Sequence, residues 1–458
     1  MDHAVTTFLR NRGQILLVRR PSAVDVYPNR WSGIADYLQS EPDDPLAEAE
    51  RHLRETIGSG RVDLVRSGAP ITVPDEDRTW LVHPFLFDVE TRQIPSDGSI
   101  EGAEWVHSTA IRDRDTVPML WETYRRVAPT VETIRTDEVH GASWLSVRAL
   151  EVLRDEAASV DEWDGVVGLA RELVDVRPGM VTIGNRVNRV MADVVDGVNL
   201  VDGDDAVADA PSPAFVHDRS IGAIDRAVEA DGTAARSVAE LLESGNRFRR
   251  RGGPIVTLSR SETVVDALLE LCSRTEPAGR SESADRSEPP ADIRVLVGES
   301  RPDREGVGVA ETLSDSGIEV MLAADSALPW LLECGDAGCV LVGADTVDPS
   351  GGVYNKAGTY GLALAADRAG VPVVVVASSS KIAPTAGFEQ ERSDPAAVYG
   401  GSSGIEVATP RFDRTPPGLV TAIVTEHGTL STADVRSIAA EHRTNAAWSR
   451  RAVGTDDV

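Results

Sequence analysis

The chain has 458 residues, of which 41% are hydrophobic, and 74 acidic against 46 basic residues give it a formal net charge of −28. This length exceeds one ordinary hydrophobic core, so two or three domains are expected, and no apolar run approaches the roughly 20 residues that span a bilayer. A surface this acidic repels the phosphates of nucleic acid, so a nucleic-acid partner is not expected. Without a spanning run or a secretory pattern at its start, the chain is predicted to be cytoplasmic, with no membrane partner.

The scarcity of lysine and cysteine is informative. The basic residues include only two lysines, Lys356 and Lys381, a composition typical of a solvated, halophilic surface. Cys272, Cys334 and Cys339 form no CxxC motif and accompany no histidine pair. They are predicted to be small apolar packing residues in a reducing compartment, not zinc ligands or a disulfide framework.

Residues 1–130 are predicted to form one α+β domain. The run VTTFLRNRGQILLVRR at 5–20 reads as two strands around a turn at Asn11-Arg12-Gly13, which indicates a β-hairpin. The run DPLAEAERHLRETIG reads as a helix with Asp44-Pro45 at its start and Gly58 at its end.

Residues 137–250 are predicted to form a helical subdomain that contains an acidic linker. The stretch VDGDDAVADAPSPAF at 201–215 is poor in bulky apolar residues and reads as that linker, followed by a helix from roughly Gly222 to Asn246.

Residues 251–445 alternate between short apolar runs and helical stretches. The runs PIVTLS, IRVLVG, IEVMLAAD, GCVLVGAD and VPVVVVAS have the length of buried parallel strands, and Gly317 and Gly370 end two of the helices between them. A polar insertion is predicted at 275–292. The fold class is therefore α/β, with an N-terminal α+β domain, a helical segment and a C-terminal doubly wound parallel-sheet domain.

Four motifs follow strands of this sheet, at 257–263, 298–306, 342–360 and 377–381. Because ligands of open α/β sheets bind at the carboxyl ends of the strands, these motifs predict a ligand pocket. Asp345 is suited to exchange a proton there, and Lys356 and Lys381 to hold a phosphate. The amides at Gly358 and Thr359, where a helix begins, are predicted to be free to bind an anion.

Each residue also has a structural interpretation. Ser259 and Glu262 match a helix capping box, Asp345 is suited to cap a turn, and Glu299 is suited to pair with Arg301. Taken together and in order at strand ends, the four motifs favour the pocket.

The motifs ESRP…EG, VGAD…NKAGTY, SSSK and FDRTPPGLVTAIVTEHG resemble the family of translation initiation factor 2B alpha, beta and delta subunits, over about 137–445. That family includes methylthioribose-1-phosphate and ribose-1,5-bisphosphate isomerases. The resemblance implies a phosphorylated small-molecule ligand and a homo-oligomer, either a dimer or a hexamer. The ligand-binding positions that it implies are Gly141, Ala142, Ser143, Arg177, Ser261, Arg301, Asn355, Lys356 and Lys381.

The isomerases of this family move a proton with a cysteine and an aspartate, which correspond to Ser259 and Asp345 here. His140 and Glu305 stand where the isomerases carry arginine and glutamine. Because a hydroxyl is a much poorer acid than a thiol, these departures favour a binding or regulatory protein over a standard isomerase.

The N-terminal hairpin, WSG and AERHLRETIG resemble the Nudix family, whose signature glutamates hold a divalent metal. Glu55 is the one matching glutamate and the candidate metal ligand. His52 and Thr56 replace two others, and Asp43 and Tyr37 replace the upstream glutamate and glycine. The favoured interpretation is a degenerate Nudix-like fold that needs no cofactor, with Mg²⁺ expected only if this domain is active.

Two alternatives to that interpretation remain. Glu48 or Glu50 replaces the lost metal-binding glutamates, or the Nudix-like domain serves as a ligand-sensing or docking module. Three functions are therefore compatible with the sequence. The first is a factor 2B-related protein that binds a phosphorylated sugar or nucleotide without standard isomerase activity. The second is a ribose-phosphate aldose–ketose isomerase that uses Asp345 and Ser259. The third is a Nudix-type diphosphate hydrolase.

Overall fold

The computed structural model describes residues 2–38, 44–57, 62–75, 78–93, 101–198, 211–244, 248–250, 252–275 and 293–451. The chain divides into two compact units. The first contains Met1–Ile134, Arg148–Val166 and Ser212–Asp225, and the second contains Arg135–Val147, Val167–Pro211 and Arg226–Val458. The predicted three-domain bounds stay a prediction.

The first unit is built on an eight-stranded sheet of the described residues. Its strands are β1 (Asp2–Asn11), β2 (Gln14–Arg19), β3 (Trp31–Ser32), β4 (Ile34–Leu38), β5 (Val62–Ser67), β6 (Ile71–Pro74), β7 (Thr79–Val89) and β8 (Gly102–Val106). Strand β1 lies at the centre, parallel to β7 and antiparallel to β2 and β4. The predicted hairpin is confirmed, with positive φ at Arg12 and Gly13 in its turn.

The helices, in chain order, are α1 (Pro45–Ile57), α2 (Leu120–Arg125), α3 (Val131–Arg135), α4 (Ala142–Ala157), α5 (Trp163–Val174), α6 (Val181–Val198), α7 (Pro213–Glu243), α8 (Glu262–Thr275), α9 (Glu305–Asp315), α10 (Leu328–Cys334), α11 (Thr359–Ala369), α12 (Thr432–Ala446) and α13 (Trp448–Arg451). Helix α1 confirms its prediction, because the Asp44 carboxylate accepts the amides of Leu46 and Ala47 at 3.0 and 3.2 Å. Helices α4 and α7 each contribute residues to both units.

Helix α7 begins earlier than the sequence predicted. It starts at Pro213 and not near Gly222, so residues that were assigned to the acidic linker are helical. Proline fits the first turn because its missing N–H would have no helical partner there, and the Val216 amide donates to the Ser212 carbonyl at 3.3 Å. Linker residues 201–210 and insertion residues 276–292 lie outside the described residues.

The second unit contains a seven-stranded sheet with the order β11-β10-β9-β12-β15-β17-β18 among the described residues. These strands are β9 (Ile255–Thr257), β10 (Arg294–Gly298), β11 (Glu319–Ala323), β12 (Cys339–Val342), β15 (Val373–Val376), β17 (Ala422–Thr425) and β18 (Gly428–Leu430). All neighbours are parallel except β18, which is antiparallel to β17. A small antiparallel sheet joins β13 (Thr346–Val347), β14 (Val353–Lys356) and β16 (Phe412–Thr415).

Helices cover both faces of the large sheet. Along β15, Val374 and Val376 enter a core formed with α7, α8 and α9, whereas Val373 and Val375 enter a core formed with α10, α11 and α12. This alternation is the signature of a strand that is buried on both sides, and it confirms the doubly wound prediction. Gly317 and Gly370 have φ of 84° and 63° at the ends of α9 and α11, as predicted.

The free cysteines are only partly as predicted. Cys272 and Cys339 are buried in the core, but Cys334 is exposed at the end of α10, so the packing role is wrong for that residue. No helix among the described residues combines the length and apolarity needed to cross a membrane.

Candidate functional site

The loops that follow β9, β12 and β15 line one cavity of the second unit, together with the starts of α4 and α9 and the end of β14. Its volume is about 60 Å³, several times what one water molecule needs. The cavity collects nine of the predicted site residues, namely Gly141, Ala142, Ser143, Ser259, Ser261, Asp345, Asn355, Lys356 and Lys381. Parallel strands explain why Ser259, Ser261, Asp345 and Lys381 converge, because the carboxyl ends of such strands meet at one edge of a sheet.

Ser259 has an unusual backbone conformation for a residue that is not glycine. Its φ is +73°, and its N–H donates to the Ser300 hydroxyl at 2.6 Å. Helix α8 begins at Glu262, and the Ser261 hydroxyl accepts the Val264 amide at 3.4 Å. The capping role therefore falls to Ser261, and the interpretation of Ser259 as the residue of a capping box is wrong.

Glycine at the end of β12 is a steric requirement for this arrangement. A Cβ atom at Gly343 would lie 2.8 Å from the Ser261 hydroxyl oxygen, closer than real Cβ contacts. The backbone of the GAD motif therefore approaches the start of α8 closely, and both segments line the cavity.

Asp345 is partly buried at the cavity wall. Burial raises the pKa of its carboxyl group to about 6, against the attraction of the Lys381 ammonium and with added repulsion from Glu305 and Glu391. A carboxyl with such a pKa exchanges protons near neutral pH, which is the behaviour of a general acid or base.

Lys381 is held by its backbone. The Asn185 side-chain amide donates to the carbonyls of Ser380 and Ile382 at 2.8 and 2.9 Å, and the Thr182 and Ser380 hydroxyls lie 2.7 Å apart. Only 6% of Lys381 is exposed. Among the residues that the structure describes, its ammonium forms no ion pair, so its charge is directed at the cavity.

Lys356 has a different environment. Its ammonium lies 2.6 Å from an Asp303 carboxylate oxygen and 3.0 Å from one of Glu305, and only 1% of the residue is exposed. Although burial opposes it, the hydrogen bond from Lys356 lowers the pKa of Asp303. The two carboxylates therefore already balance the charge that was predicted to bind a phosphate.

The start of α4 brings an imidazole and an indole to the cavity. The His140 Nδ1 atom lies 2.7 Å from an Asp137 carboxylate oxygen, and the His140 ring stacks on Trp144 with centroids 3.7 Å apart. The Ser143 hydroxyl oxygen is buried without a hydrogen-bond partner among the described residues. An oxygen-rich ligand would satisfy this hydroxyl.

Two predicted binding residues are not among those that line the cavity. Arg177 pairs with Glu391 at 2.6 Å and donates to the Asp137 carbonyl at 2.8 Å. Arg301 is exposed and donates to the Ala397 carbonyl at 3.0 Å. Both guanidinium groups thus bind other groups of the protein and do not line the cavity.

The prediction of free amides at the start of α11 is wrong. The Asp413 carboxylate accepts the Gly358 amide at 2.6 Å and the Tyr360 amide at 3.0 Å. Asp413 lies on β16, which pairs with β14, so this side chain comes from a segment more than 50 residues further along the chain. An internal anion occupies the helix start that was assigned to a ligand.

Sequence reasoning missed several residues of the cavity wall, including Trp144, Met180 and Arg411. Arg411 directly precedes the FDRTPPG motif, and its guanidinium lies 3.9 Å from Asp303 and 3.6 Å from Glu391. The signal available in the sequence was this cationic residue next to a motif of the family resemblance. Met180 carries none, because an apolar residue at helical spacing is usually core.

In the first unit, Glu55 does not belong to a metal-binding group. The Arg51 guanidinium lies 2.9 Å from Glu55, 3.0 Å from Glu48 and 3.3 Å from Asp36, so one cation already satisfies three carboxylates. No cluster of three potential metal ligands occurs in the described ranges, and Asp43 and Gly58 fall outside them. These residues do not fit a bound Mg²⁺.

Comparison with known proteins gives two family matches along the chain. Residues 138–432 match the model of the Initiation factor 2 subunit family, and residues 2–131 match that of the NUDIX domain. The probable bifunctional methylthioribose-1-phosphate isomerase/methylthioribulose-1-phosphate dehydratase of Nocardia farcinica is 33% identical over 325 residues, 66% of this chain. This chain spans about half of that relative, 53% of its length.

Two further matches are an isomerase and a translation initiation factor. The ribose 1,5-bisphosphate isomerase of Archaeoglobus fulgidus is 29% identical over 314 residues, 66% of this chain and 89% of that protein. The crystal structure of the Pyrococcus horikoshii translation initiation factor eIF-2B has a TM-score of 0.52 and 26% identity, covering 66% of this chain and 94% of that chain.

Proposed function

The chain belongs to the Initiation factor 2 subunit family, and from this membership we propose that the cavity of its second unit binds a phosphorylated sugar or nucleotide without standard isomerase activity. The relatives carry the names of isomerases and of a translation factor. Membership therefore fixes the fold, and the choice of activity rests on the site.

One observation carries the proposal. Both lysines of a 458-residue chain lie buried at the wall of a single cavity that also holds Asp345. An ammonium group is rarely buried unless an anion meets it, and among the described residues Lys381 is attracted to the Asp345 carboxyl but forms no salt bridge. A phosphate is an anion that this position would accept.

Ser259 supports the binding function over isomerase activity. It occupies the position where the resemblance predicts the proton-donating thiol, and a serine hydroxyl gives up its proton far less readily. The raised pKa of Asp345 favours a second candidate, an aldose–ketose isomerase in which Asp345 moves the proton. Turnover of ribose 1,5-bisphosphate that is lost in Asp345→Asn would establish that candidate.

A thermal-shift titration tests the binding function. Ribose 5-phosphate, AMP and inorganic phosphate are each added to the full chain, and at least one of the phosphate esters should raise the melting temperature by several degrees. Lys381→Ala should remove that shift, whereas Arg368→Ala, at an exposed position on α11, should keep it.

The absence of a shift with every phosphate ester would contradict the proposal. So would a shift that Lys381→Ala leaves intact.

We also propose the homo-oligomer that the family resemblance implies. Met321 and Leu322 lie on β11 at the edge of the large sheet and are 60% and 45% exposed. Apolar side chains on a sheet edge favour association with a second chain.

A further inference from the structure

The cavity wall includes the imidazole of His140 and the carboxyl group of Asp345. We infer that protonation of these two groups regulates the cavity: its affinity for an anion rises when both take up a proton and falls when both release it. This inference rests on the proposed function and adds the regulation of the same site.

Asp137 fixes the orientation of the His140 ring. One of its carboxylate oxygens accepts the amides of Val139 and His140 at 2.9 and 2.6 Å, and the other lies 2.7 Å from the His140 Nδ1 atom. The ring also stacks on Trp144, with the centroids 3.7 Å apart and the planes inclined by 8°. Because Nδ1 donates its proton to the carboxylate, a further proton binds at Nε2. An imidazole is the side-chain group best suited to change charge between about pH 5 and 8.

The charged neighbours of this Asp137–His140 pair already have partners of their own. The Arg177 guanidinium donates to the Asp137 carbonyl at 2.8 Å, and that of Arg411 donates to the Glu138 carbonyl at 3.2 Å. Both guanidinium groups also pair with Glu391, at 2.6 and 3.6 Å. The pair has one negative charge when the imidazole is neutral and none when it is protonated, so protonation changes the charge that a ligand meets.

Asp345 responds to some of the same neighbours. Burial raises its pKa to about 6, so the carboxyl loses its negative charge as the pH falls through that value. Arg411 and Glu391 act on this carboxyl and also hold the segment that carries His140, which places both groups in one electrostatic environment. The charged side chains that act on Asp345 are Lys381, Glu305, Glu391 and Arg411.

The charges of the wall are otherwise balanced. Among the described residues that line the cavity, four are acidic and four are basic, so their formal charge is zero when Asp345 is ionised and His140 is neutral. The uptake of two protons makes this charge more positive by two, which favours an anion in a partly enclosed site where solvent screens little. The acidic residues are Glu138, Glu262, Glu305 and Asp345, and the basic ones are Arg260, Arg411 and the two lysines.

Isothermal titration of the full chain with ribose 5-phosphate and with AMP, at pH 5.5 and at pH 8, tests the inference. His140→Gln keeps position 140 neutral and His140→Arg keeps it charged. Because the chains are compared at one pH, the titration of the ligand itself cancels. At pH 8 the unaltered chain should bind within about twofold of His140→Gln and about fivefold more weakly than His140→Arg. At pH 5.5 it should bind within about twofold of His140→Arg and about fivefold more tightly than His140→Gln.

Asp345→Asn tests the second group. The variant keeps position 345 neutral, so it should bind the ester about fivefold more tightly than the unaltered chain at pH 8. At pH 5.5, where the carboxyl of the unaltered chain is mostly protonated, the two should differ by less than about twofold.

The outcomes separate the inference from the function on which it rests. Equal affinities of His140→Gln and His140→Arg at each pH overturn the inference while the binding function stands. So does an unaltered chain that follows the same variant at both pH values. An affinity at pH 8 that Asp345→Asn leaves unchanged overturns the role of Asp345. If neither ester binds any of the chains at either pH, the binding function and the inference are overturned together.

Discussion

The Asp345 carboxyl lies at the cavity wall, where burial raises its pKa from 3.8 to about 6 against the attraction of Lys381. Because the pKa of Asp345 in the folded chain exceeds its value in the unfolded chain, the folded chain binds a proton more tightly between about pH 3.8 and pH 6. The stability contributed by the protonated group is fully present below the unfolded pKa and is lost as the pH rises through about 6.

Asp345→Asn removes this titration. At pH 8 we expect the free energy of unfolding of the variant to exceed that of the unaltered chain by on the order of 1–3 kcal/mol, and near pH 4 we expect the two to agree. Urea unfolding at the two pH values measures the difference. A variant that is less stable than the unaltered chain at pH 8 would show that the ionised carboxylate is favoured in the fold.

Asp348 is the matched control, three residues further along the chain on the other side of β13. Although burial opposes it, hydrogen bonds from Ser350 and Arg414 lower its pKa. Its stability contribution is present above the unfolded pKa and is lost as the pH falls, so Asp348→Asn should lose stability at pH 8. Two aspartates that flank β13 should thus respond to pH with opposite signs.

At the residue scale, the sequence predicted correctly which residues line the cavity. It was less successful in predicting the contacts that each of them makes there. Ser259, Asp345, Lys356 and Lys381 were all found from motifs at strand ends, and the structure brings them together. The pairing of Lys356 with Asp303 was missed, because the aspartate lies in a different loop and nothing local signals that contact.

At the scale of elements, local patterns were sufficient for most strands and for the glycine-ended helices. They failed where the deciding partner is distant in sequence. The residues at the start of α11 predicted free backbone amides there. The pairing of β14 with β16 instead brings Asp413 to this helix start, where its carboxylate accepts two of the amides. The start of α7 was misplaced because an acidic, proline-containing segment resembles a linker until Pro213 is seen in a first turn.

Asp413→Ala tests the role of this internal cap. The change leaves the Gly358 and Tyr360 amides without their acceptor, and the free energy of unfolding should fall by about 1–2 kcal/mol in urea denaturation. Asp413→Asn should lose less, because the amide keeps one acceptor oxygen and burial already raises the pKa of the carboxyl. Equal losses in the two variants would show that charge, not the acceptor, stabilises the start of α11.

At the scale of the whole molecule, composition and the order of elements predicted the parallel sheet with helices on both faces. Alternating apolar runs and helices allow few other arrangements, because parallel strands need crossovers that cover the sheet. The assignment of α4 and α7 to two units was not predictable. Each helix reads as one uniform amphipathic run, and its division depends on contacts with segments far along the chain.

The acid excess makes its own prediction at this scale. A formal net charge of −28 favours expanded states through self-repulsion, and salt screens that repulsion as the Debye length falls from about 8 Å at 0.15 M to about 3 Å at 1 M. The melting temperature should therefore rise by several degrees between about 0.1 and 1 M KCl, as measured by scanning calorimetry.

The shape of this salt response identifies its cause. Screening should saturate near 1 M, once the Debye length falls below the spacing of surface carboxylates, whereas preferential exclusion of salt from apolar surface would raise the melting temperature steadily beyond that concentration. The buried pairs of Lys356 are screened far less than surface charges, so they should not weaken the rise. A melting temperature that falls with added KCl would mean that surface ion pairs outweigh the self-repulsion of the acidic residues.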